Sequence, residues 1–223
     1  MACEIIVVSG MAFEAELAEG PGIESVYGLN RAKLSQAIEE AIKNGAKGIM
    51  SFGTAAGLSP ELSAGAIVIA DKVHAQKTFA TDSAWSEKLK QLLPEAIVGG
   101  IVGVDAALVG ASEKSQLYTH TGAVAADMES HLVAQLAEQH HLPFAVLRVV
   151  LDDAGCTLPP AVFAAVTPEG NINYKGLFAS LLAHLSQIPE LLRLANASAI
   201  AKRSLLRCGN LLKGSRFGLV NLG

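Results

Sequence analysis

Residues 122–131 read GAVAADMESH, and this stretch decides how the rest of the chain is interpreted. The small apolar run at residues 123–126 is typical of a buried strand. Asp127 and Glu129 then supply two carboxylates, and an apolar run with helical spacing follows at Leu132, Val133, Leu136 and Ala137. A strand that ends in carboxylates at the start of a helix is where open α/β sheets bind ligands. The alternative is that both acids only favour the start of the helix.

The composition of the whole chain favours a large buried core. Of its 223 residues, 51% are hydrophobic and 17% are charged, and the formal net charge of −4 argues against nucleic acid as the main partner. Three cysteines without metal-ligand spacing favour a reduced, cytoplasmic setting and predict no metal site. The opening MACEIIVVSG has no basic region of the kind that begins a signal peptide, and no apolar run reaches membrane-spanning length.

Strand and helix patterns alternate along the sequence. The apolar runs predict strands at residues 4–9, 47–52, 65–71, 96–104, 123–126 and 144–151. The amphipathic spacing predicts helices at residues 11–17, 31–44, 83–93, 112–120, 130–141, from 174 onward, and 190–212. Residues 20–30 are predicted to be irregular. We therefore expect a single α/β domain over residues 1–223, a three-layer sandwich whose central, mostly parallel twisted sheet carries helices on both faces.

Carboxylates follow three of the predicted strands. Besides Asp127 and Glu129, Glu14 lies one turn into the helix after the first strand, and Asp152 and Asp153 end the last strand. Adjacent carboxylates disfavour each other's ionisation, which raises a pKa toward the range of a useful acid. The structural alternatives are a solvated first-turn glutamate at Glu14 and a simple turn after the last strand.

A run of small residues, GTAAGL at residues 53–58, is predicted to form a turn after the second strand. Small residues there let backbone amides approach a phosphate, a sugar or a water molecule closely. The run has neither the GxGxxG spacing of a dinucleotide site nor a following GK[ST], so neither of those phosphate sites is predicted.

Four motifs together resemble the superfamily of purine nucleoside phosphorylases and methylthioadenosine/S-adenosylhomocysteine nucleosidases. AVAADMES resembles its A-V-x-M-E signature, FGTAAGL its T-G-S-A-G-G-L loop, VLRVVLD its R-x-x-S-D element, and SGMAFEAEL the nucleosidase start G-A-M-E-E-E. The four occur in the family's order and cover most of residues 1–153. Within the superfamily the chain is most similar to the hopanoid-associated phosphorylases, and that resemblance runs nearly end to end.

The resemblance implies a role for individual residues. Asp152 matches the carboxylic acid that protonates the purine at N7, with Asp153 as the competing assignment. Glu14 matches the general base that activates water in the nucleosidases. Glu129 matches the glutamate that accepts hydrogen bonds from ribose hydroxyls, and Met128 matches the residue that packs against the sugar. The resemblance therefore predicts Asp152 and Glu14 as catalytic residues.

Further residues are implied for binding. Thr54, with the backbone of Gly53 and Gly57, matches the loop that holds phosphate or orients the water. Asp105 and Leu108 stand where the family has its base-pocket element, although this chain lacks the aromatic residue that stacks on the purine there. Asp127 is a further candidate for substrate binding or only a first-turn acid.

Two departures from the family pattern bear on the reaction. Leu151 replaces the serine that precedes the family's aspartate, so one partner that orients the acid is absent. A strand pair that normally precedes the family's G-I-G-K element is also missing, with residues 28–31 as its remnant, and we expect this loss to open the 5′ side of the ribose to a bulky substituent.

Hydrolysis and phosphorolysis are the two possible reactions. A phosphate site normally recruits arginines, whose planar fork matches phosphate oxygens. Arg31, together with Thr54, is one candidate, and Arg148 is another unless it pairs with a carboxylate of the sheet. Glu14 favours hydrolysis, which we place first. No cofactor is expected, and inorganic phosphate is a co-substrate only if the chain is a phosphorylase.

The hopanoid-associated resemblance implies a purine nucleoside joined through its 5′ position to a lipid, adenosylhopane, from which adenine is released.

Residues 195–223 form a basic, leucine-rich tail, which predicts peripheral contact with a membrane surface or, alternatively, packing on the domain. Two other functions stay open: cleavage of soluble nucleosides such as methylthioadenosine, S-adenosylhomocysteine or inosine, and nucleoside binding without catalysis. The apolar composition also predicts a homo-oligomer.

Overall fold

The computed structural model describes residues 3–158 and 188–219, and within these ranges the chain alternates strands and helices. The strands are β1 (Ile5–Ser9), β2 (Ile23–Tyr27), β3 (Gly48–Gly57), β4 (Ile67–His74), β5 (Thr78–Ala80), β6 (Ile97–Gly103), β7 (Ala125–Asp127) and β8 (Phe144–Asp152). The helices are α1 (Ala12–Ala18), α2 (Arg31–Lys43), α3 (Ser83–Leu92), α4 (Ala111–Thr121), α5 (Ser130–Gln139) and α6 (Ile188–Lys213). The helix predicted from residue 174 begins outside the described residues.

Helices cover both faces of the sheet, as the sequence predicts. The apolar sides of α2 and α5 pack on one face through Leu34, Ile38, Val133 and Leu136. On the opposite face, α1, α3 and α6 contribute to a second core that includes Ala18, Trp85, Leu89, Leu205 and Leu212. The burial of two apolar layers on one sheet accounts for the high hydrophobic content, and the predicted three-layer α/β fold is confirmed.

The sheet closes on itself, which the sequence does not predict. Strand β3 pairs with β8, β8 with β4, β4 with β6, β6 with β7, and β7 returns to the end of β3. These five strands form a ring, and β1 and β2 extend the sheet from β3, while β5 extends it from β4. Among the described strands, the parallel pairs outnumber the antiparallel ones, in agreement with the expectation of a mostly parallel sheet.

The structure corrects two predictions about local structure. Residues 20–30, predicted to be irregular, contain β2, which pairs with β1 in parallel. Strand β3 continues to Gly57, so most of the predicted turn at residues 53–58 is strand. Small residues are poor indicators of a strand, but at Gly53 an added Cβ would lie 2.6 Å from Oε2 of Glu14, so packing excludes a larger side chain.

The C-terminal helix is part of the core. Ala201, Leu205, Cys208 and Leu212 of α6 are fully buried, and the indole Nε1 of Trp85 donates a 2.7 Å hydrogen bond to the carbonyl of Phe217. At Gly209, an added Cβ would lie 2.8 Å from the carbonyl oxygen of Leu17 at α1, so the two helices approach closely. The described part of the basic tail therefore packs on the domain. Over residues 3–158 and 188–219, no helix is both long and apolar enough to cross a membrane.

Candidate active site

Arg148 is the centre of a buried cluster of charges. It lies on β8 with no exposed surface and faces Asp127 at the end of β7, Glu129 just after it, and Glu14 on α1. Its Nε is 2.7 Å from Oδ2 of Asp127, and its Nη2 is 3.1 Å from Oε2 of Glu129. These carboxylates raise the pKa of Arg148 despite its burial. Two strands and a helix thus bring three of the predicted acids to one arginine.

Glu14 has a complete set of hydrogen bonds. Its Oε2 accepts from the backbone N–H groups of Gly10 and Met11, both at 3.1 Å, and its Oε1 accepts from the backbone N–H of Thr54 at 2.9 Å and from its hydroxyl at 2.8 Å. Burial raises the pKa of Glu14, while Arg148 and the Thr54 hydrogen bonds oppose that rise. Since a carboxylate accepts about four hydrogen bonds, a water molecule bound to Glu14 must replace one donor, and the rotatable Thr54 hydroxyl is the most easily displaced.

Asp127 has the helix-start contacts predicted for a first-turn acid and also pairs with Arg148, while its predicted role in substrate binding stays a prediction. Its Oδ1 accepts from the backbone N–H of Glu129 at 3.2 Å and of Ser130 at 2.9 Å, which stabilises the start of α5. Its Oδ2 accepts from the Ser130 hydroxyl and lies against Arg148. The Ser51 hydroxyl accepts a 2.6 Å hydrogen bond from Nη2 of Arg148, so the arginine is held by neutral as well as charged groups. Asp127 therefore orients Arg148 and also stabilises the start of α5, directly after β7.

Glu129 is buried beside the start of α1. Burial raises its pKa to about 7; Asp127 and Glu14 act in the same direction, and Arg148 opposes them. At Gly10, an added Cβ would lie 2.8 Å from Oε1 of Glu129, so any larger residue at position 10 would displace this carboxyl. A carboxyl that exchanges its proton near neutrality can either donate to or accept from a hydroxyl group. That property suits a contact with sugar hydroxyls.

Asp152 is paired with Lys114, which the sequence patterns do not predict as a site residue. Lys114, on α4, has no exposed surface, and its ammonium group donates to Oδ2 of Asp152. Burial raises the pKa of Asp152, Lys114 lowers it, and the neighbouring Asp153 raises it, with a net upward shift. Asp153 itself is exposed. Of the two adjacent acids, Asp152 is the one held inside the protein.

A small cavity adjoins the buried cluster at Glu129. Its lining includes Met128, Glu129, Arg31 and Asp105, and its volume is about 40 Å³, enough for water but not for a nucleoside. Nη1 of Arg31 is 2.6 Å from Oδ1 of Asp105, whose side chain is 76% exposed, and His131 also contacts that oxygen at 3.2 Å. Both the predicted phosphate-binding arginine and the predicted base-pocket aspartate are thus engaged with each other in this structure.

The remaining predicted site residues lie around these groups. Gly57 packs against the backbone of Asp152, since an added Cβ would be 3.2 Å from the carbonyl oxygen of that residue. Leu108 is buried in a separate apolar cluster that includes Leu58 and Ala126. The structure therefore joins Glu14, Gly53, Thr54, Asp127 and Glu129 in one cluster, brings Gly57 to Asp152, and places Arg31, Asp105 and Met128 at the adjoining cavity.

Lys114 is the main residue of the candidate site that the sequence analysis does not predict. Leu117 and Tyr118 follow it by three and four residues and pack toward an apolar cluster, so helical spacing places Lys114 on the inner side of α4. A lysine on the inner side of a helix requires a buried anion. Its partner is 38 residues away in the sequence, and the spacing alone does not identify it.

Comparison with protein families identifies the superfamily. A family model described as the phosphorylase superfamily matches residues 17–183, about three quarters of the chain. The chain belongs to the phosphorylase superfamily. The resemblance predicted from the four motifs is thereby confirmed at the level of the superfamily. The matched region includes Thr54, Glu129, Arg148 and Asp152, and it begins just after Glu14.

Several solved structures share the fold of this phosphorylase-superfamily chain. The S-adenosylhomocysteine nucleosidase of Streptococcus pyogenes, in complex with 5-methylthiotubericidin, has a TM-score of 0.64 at 18% identity, with 96% of this chain and 97% of that one covered. A methylthioadenosine/S-adenosylhomocysteine nucleosidase from S. pneumoniae gives 0.61 at 18% identity, covering 94% and 98%. The futalosine hydrolase of Helicobacter pylori gives 0.59 at 16% identity, covering 93% and 98%. At these identities the likeness shows the fold.

Proposed function

We propose that this chain cleaves the N-glycosidic bond of purine nucleosides and releases the purine base. The observation that carries the proposal is the buried cluster in which Arg148 binds Glu129 and interacts electrostatically with Glu14, with Asp152 at the end of the same strand. Superfamily membership supports it, and so do the names of the structural neighbours, which include nucleosidases and a hydrolase. An α/β protein that only bound nucleosides would not need this concentration of buried acids.

The chemistry of glycosidic cleavage fits the placement of these groups. The sugar develops positive charge as the bond to the base breaks, and negative charge builds on the departing purine. In the proposed mechanism Asp152 donates a proton to the purine, Glu129 binds ribose hydroxyls, and Glu14 takes a proton from the attacking water. Thr54 orients that water through the hydroxyl that now donates to Glu14. Met128, at the cavity beside Glu129, packs against the sugar.

We place hydrolysis ahead of phosphorolysis. Of the two arginines considered for phosphate, Arg148 faces three carboxylates and Arg31 is bound to Asp105 and Gln135. Both guanidinium groups thus already have partners in this structure, whereas Glu14 is a carboxylate suited to activating water. The test is to incubate a nucleoside substrate with and without inorganic phosphate. A sugar product without phosphate, which keeps the 5′ substituent of the substrate and forms at equal rates in both reactions, supports hydrolysis. A sugar 1-phosphate whose formation depends on added phosphate contradicts it.

We propose adenosylhopane as the substrate, on the strength of the resemblance to hopanoid-associated phosphorylases, with adenine and a ribosyl lipid as products. The expectation that the 5′ side of the ribose is open stays a prediction, and opening the cavity would require separating Arg31 from Asp105. The alternative substrate class is soluble: the structural neighbours are named for methylthioadenosine and S-adenosylhomocysteine.

One experiment separates these substrates and tests the proposed acid. Adenine release is measured with adenosylhopane, methylthioadenosine, S-adenosylhomocysteine and inosine at matched concentrations, the last scored as hypoxanthine. We expect the lipid nucleoside to be preferred, and faster turnover of a soluble nucleoside would contradict that assignment. Asp152→Asn is expected to lose at least a hundredfold in rate, the range of general acid catalysis. Retained activity in this variant would exclude Asp152 as the acid.

We further propose that α6 contacts an anionic membrane surface peripherally. Leu206 and Leu211 are partly exposed on a helix that also carries the exposed Arg203. Because α6 is part of the core, deletion of the tail would test stability and not lipid binding. The sharper test is cosedimentation with anionic vesicles of a Leu206→Ser/Leu211→Ser variant, with Tyr27→Ser as an exposed apolar control elsewhere. Equal binding of the wild type, the double leucine variant and Tyr27→Ser would contradict the proposal.

The homo-oligomer expected from the apolar composition is tested separately by light scattering.

A further inference from the structure

Lys114 has an unusual environment for a lysine. In the part of the chain that the structure describes, Lys114 is the only buried lysine, and its side chain has no exposed surface. Its ammonium group donates to Oδ2 of Asp152, to the backbone carbonyl of Asp153 at 2.8 Å and to that of Cys156 at 3.0 Å. An ammonium group has three hydrogens, so its donors are fully used. All of its partners belong to Asp152 and the turn that follows it.

The surroundings of Asp152 are held from two sides. On one side, Gly57 of β3 packs against the backbone of Asp152. On the other side, Lys114 binds the carboxyl, and the backbone N–H of Leu158 donates a 2.8 Å hydrogen bond to the carbonyl of Val109, just before α4. Asp152 therefore does not depend on its own strand alone for its position, because α4 fixes both the carboxyl and the turn.

Lys114 is the neighbour that favours the ionised form of the Asp152 carboxyl. The groups that act on its carboxyl are Lys114 from α4 and the adjacent Asp153, and the Cys156 thiol lies in the same turn with a pKa raised by burial and by Asp152. Burial and Asp153 both disfavour the ionised carboxyl, and Lys114 opposes them. Without Lys114, the carboxyl would retain its proton to a higher pH.

We propose that Lys114 is a positioning residue for the proposed acid: it holds the Asp152 carboxyl in place and, through its charge, controls how readily that carboxyl releases its proton. This inference rests on the proposed function. Leu151 stands where the superfamily motif has a serine, so the orienting contact that the motif would supply next to the aspartate is absent from this chain. Lys114 supplies an orienting contact from a different element.

The test measures the charge of Asp152 and the reaction separately. The carboxyl of Asp152 is followed by carbon-13 NMR over pH in the wild type, in Lys114→Met and in Lys114→Gln, with Asp152→Asn identifying the signal. The glutamine retains a hydrogen-bond donor for the turn but carries no charge, and it serves if the methionine variant does not fold. Lys88→Met, at an exposed position on α3, is the matched control for the loss of a lysine. The pH profile of kcat/KM for adenine release is recorded in parallel.

We expect the Asp152 titration to move to higher pH by roughly one unit or more in both Lys114 variants, and not in Lys88→Met. Because the proposed acid acts in its protonated form, the falling alkaline limb of kcat/KM should move in the same direction. A lower rate with an unmoved limb would assign Lys114 to folding only and overturn the proposal, as would an unmoved NMR titration. If the wild type releases no purine, the proposed function fails, and the NMR titration still decides whether Lys114 controls the charge of Asp152.

Discussion

Glu14 is the residue on which the choice of hydrolysis most directly depends. Glu14→Gln removes the proposed base while keeping the shape of the side chain, so adenine release should fall at least a hundredfold, the range expected of general base catalysis. Glu16→Gln, an exposed neighbour on the same helix, should leave the rate unchanged. The measurement is kcat at saturating substrate, together with adenine affinity by calorimetry. A Glu14→Gln variant within threefold of the wild type would exclude Glu14 as the base.

Glu129 makes the stability of the chain depend on pH. Its pKa is about 7 in the folded chain, against an ordinary value of 4.5, so between these values the folded state holds a proton that the unfolded state has lost. The free energy of unfolding should therefore fall as the pH rises through this window, by at most about 1.4 kcal/mol per pH unit, and should level off above it.

Glu129→Gln removes this contribution, so urea denaturation at pH 5 and pH 8 should show a smaller loss of stability with rising pH than in the wild type. Some dependence remains, because burial also raises the pKa of Glu14 and of Asp152. An unchanged difference between the two pH values in Glu129→Gln would contradict the assignment of the shift to this carboxyl.

At the scale of single elements, strand β3 packs against the buried charged cluster through Gly53. Gly53→Ala would place a Cβ 2.6 Å from Oε2 of Glu14 and 2.8 Å from Nη1 of Arg148. We expect at least a tenfold loss of activity and about 1–3 kcal/mol of stability, the usual effect of overpacking. Gly214→Ala, where no atom lies within 4 Å, is the control. Wild-type activity in Gly53→Ala would show that the cluster tolerates displacement of Glu14.

Helix α6 offers a test with adjacent residues. Leu205 is fully buried in the second core, whereas Leu206 is 37% exposed. Leu205→Ala should lower the free energy of unfolding by about 2–5 kcal/mol because it leaves a cavity. Leu206→Ala should cost much less, since a partly exposed side chain loses little buried area. Urea denaturation compares the two, and equal losses would contradict the packing of α6 described above.

The sequence predicts the elements that are buried and continuous and misses those that are not. Strand β1 begins with four apolar residues and β8 is apolar except for Arg148 and its final Asp152, so their patterns are clear. Strand β2 has the sequence IESVY, which is neither a continuous apolar run nor a regular alternation, and β5 has three residues, too few for a pattern. Strand β3 is predicted only to its middle, because the small residues that make room for Glu14 are typical of turns.

The same distinction holds for the candidate site. The acids at strand ends are predicted because each strand end is visible in the sequence, and the common edge of the sheet brings them together. The pairing of Lys114 with Asp152, and of Arg31 with Asp105, joins residues 38 and 74 positions apart, so it depends on the packing of α4 and α2 against the sheet. No local pattern contains that information.

For the whole molecule, the closed ring of five strands predicts how stability is distributed. Strands β3, β4 and β8 have paired neighbours on both sides, whereas β2 and β5 end the described sheet. In native-state hydrogen exchange, the central amides of β3 and β8 should exchange only with global unfolding, and those of β2 and β5 earlier. Equal protection of all these strands would indicate that β2 and β5 are covered, for example by another copy of the chain.

The ring also constrains the distance between the two groups of candidate site residues. In the pairing of β3 with β8, Thr54 lies opposite Val149 and Ala56 opposite Asp152, so the residues that hold Glu14 and the residue that faces the proposed acid are two positions apart on one strand, about 7 Å. In a closed ring no strand can slide alone, because each is paired on both sides. The pairing therefore fixes the backbone register between the residue that holds Glu14 and the residue opposite Asp152. We expect the segment before α2 and the loop that carries Asp105, which both lie outside the ring, to tolerate sequence changes that leave the pairing of β3 with β8 unchanged.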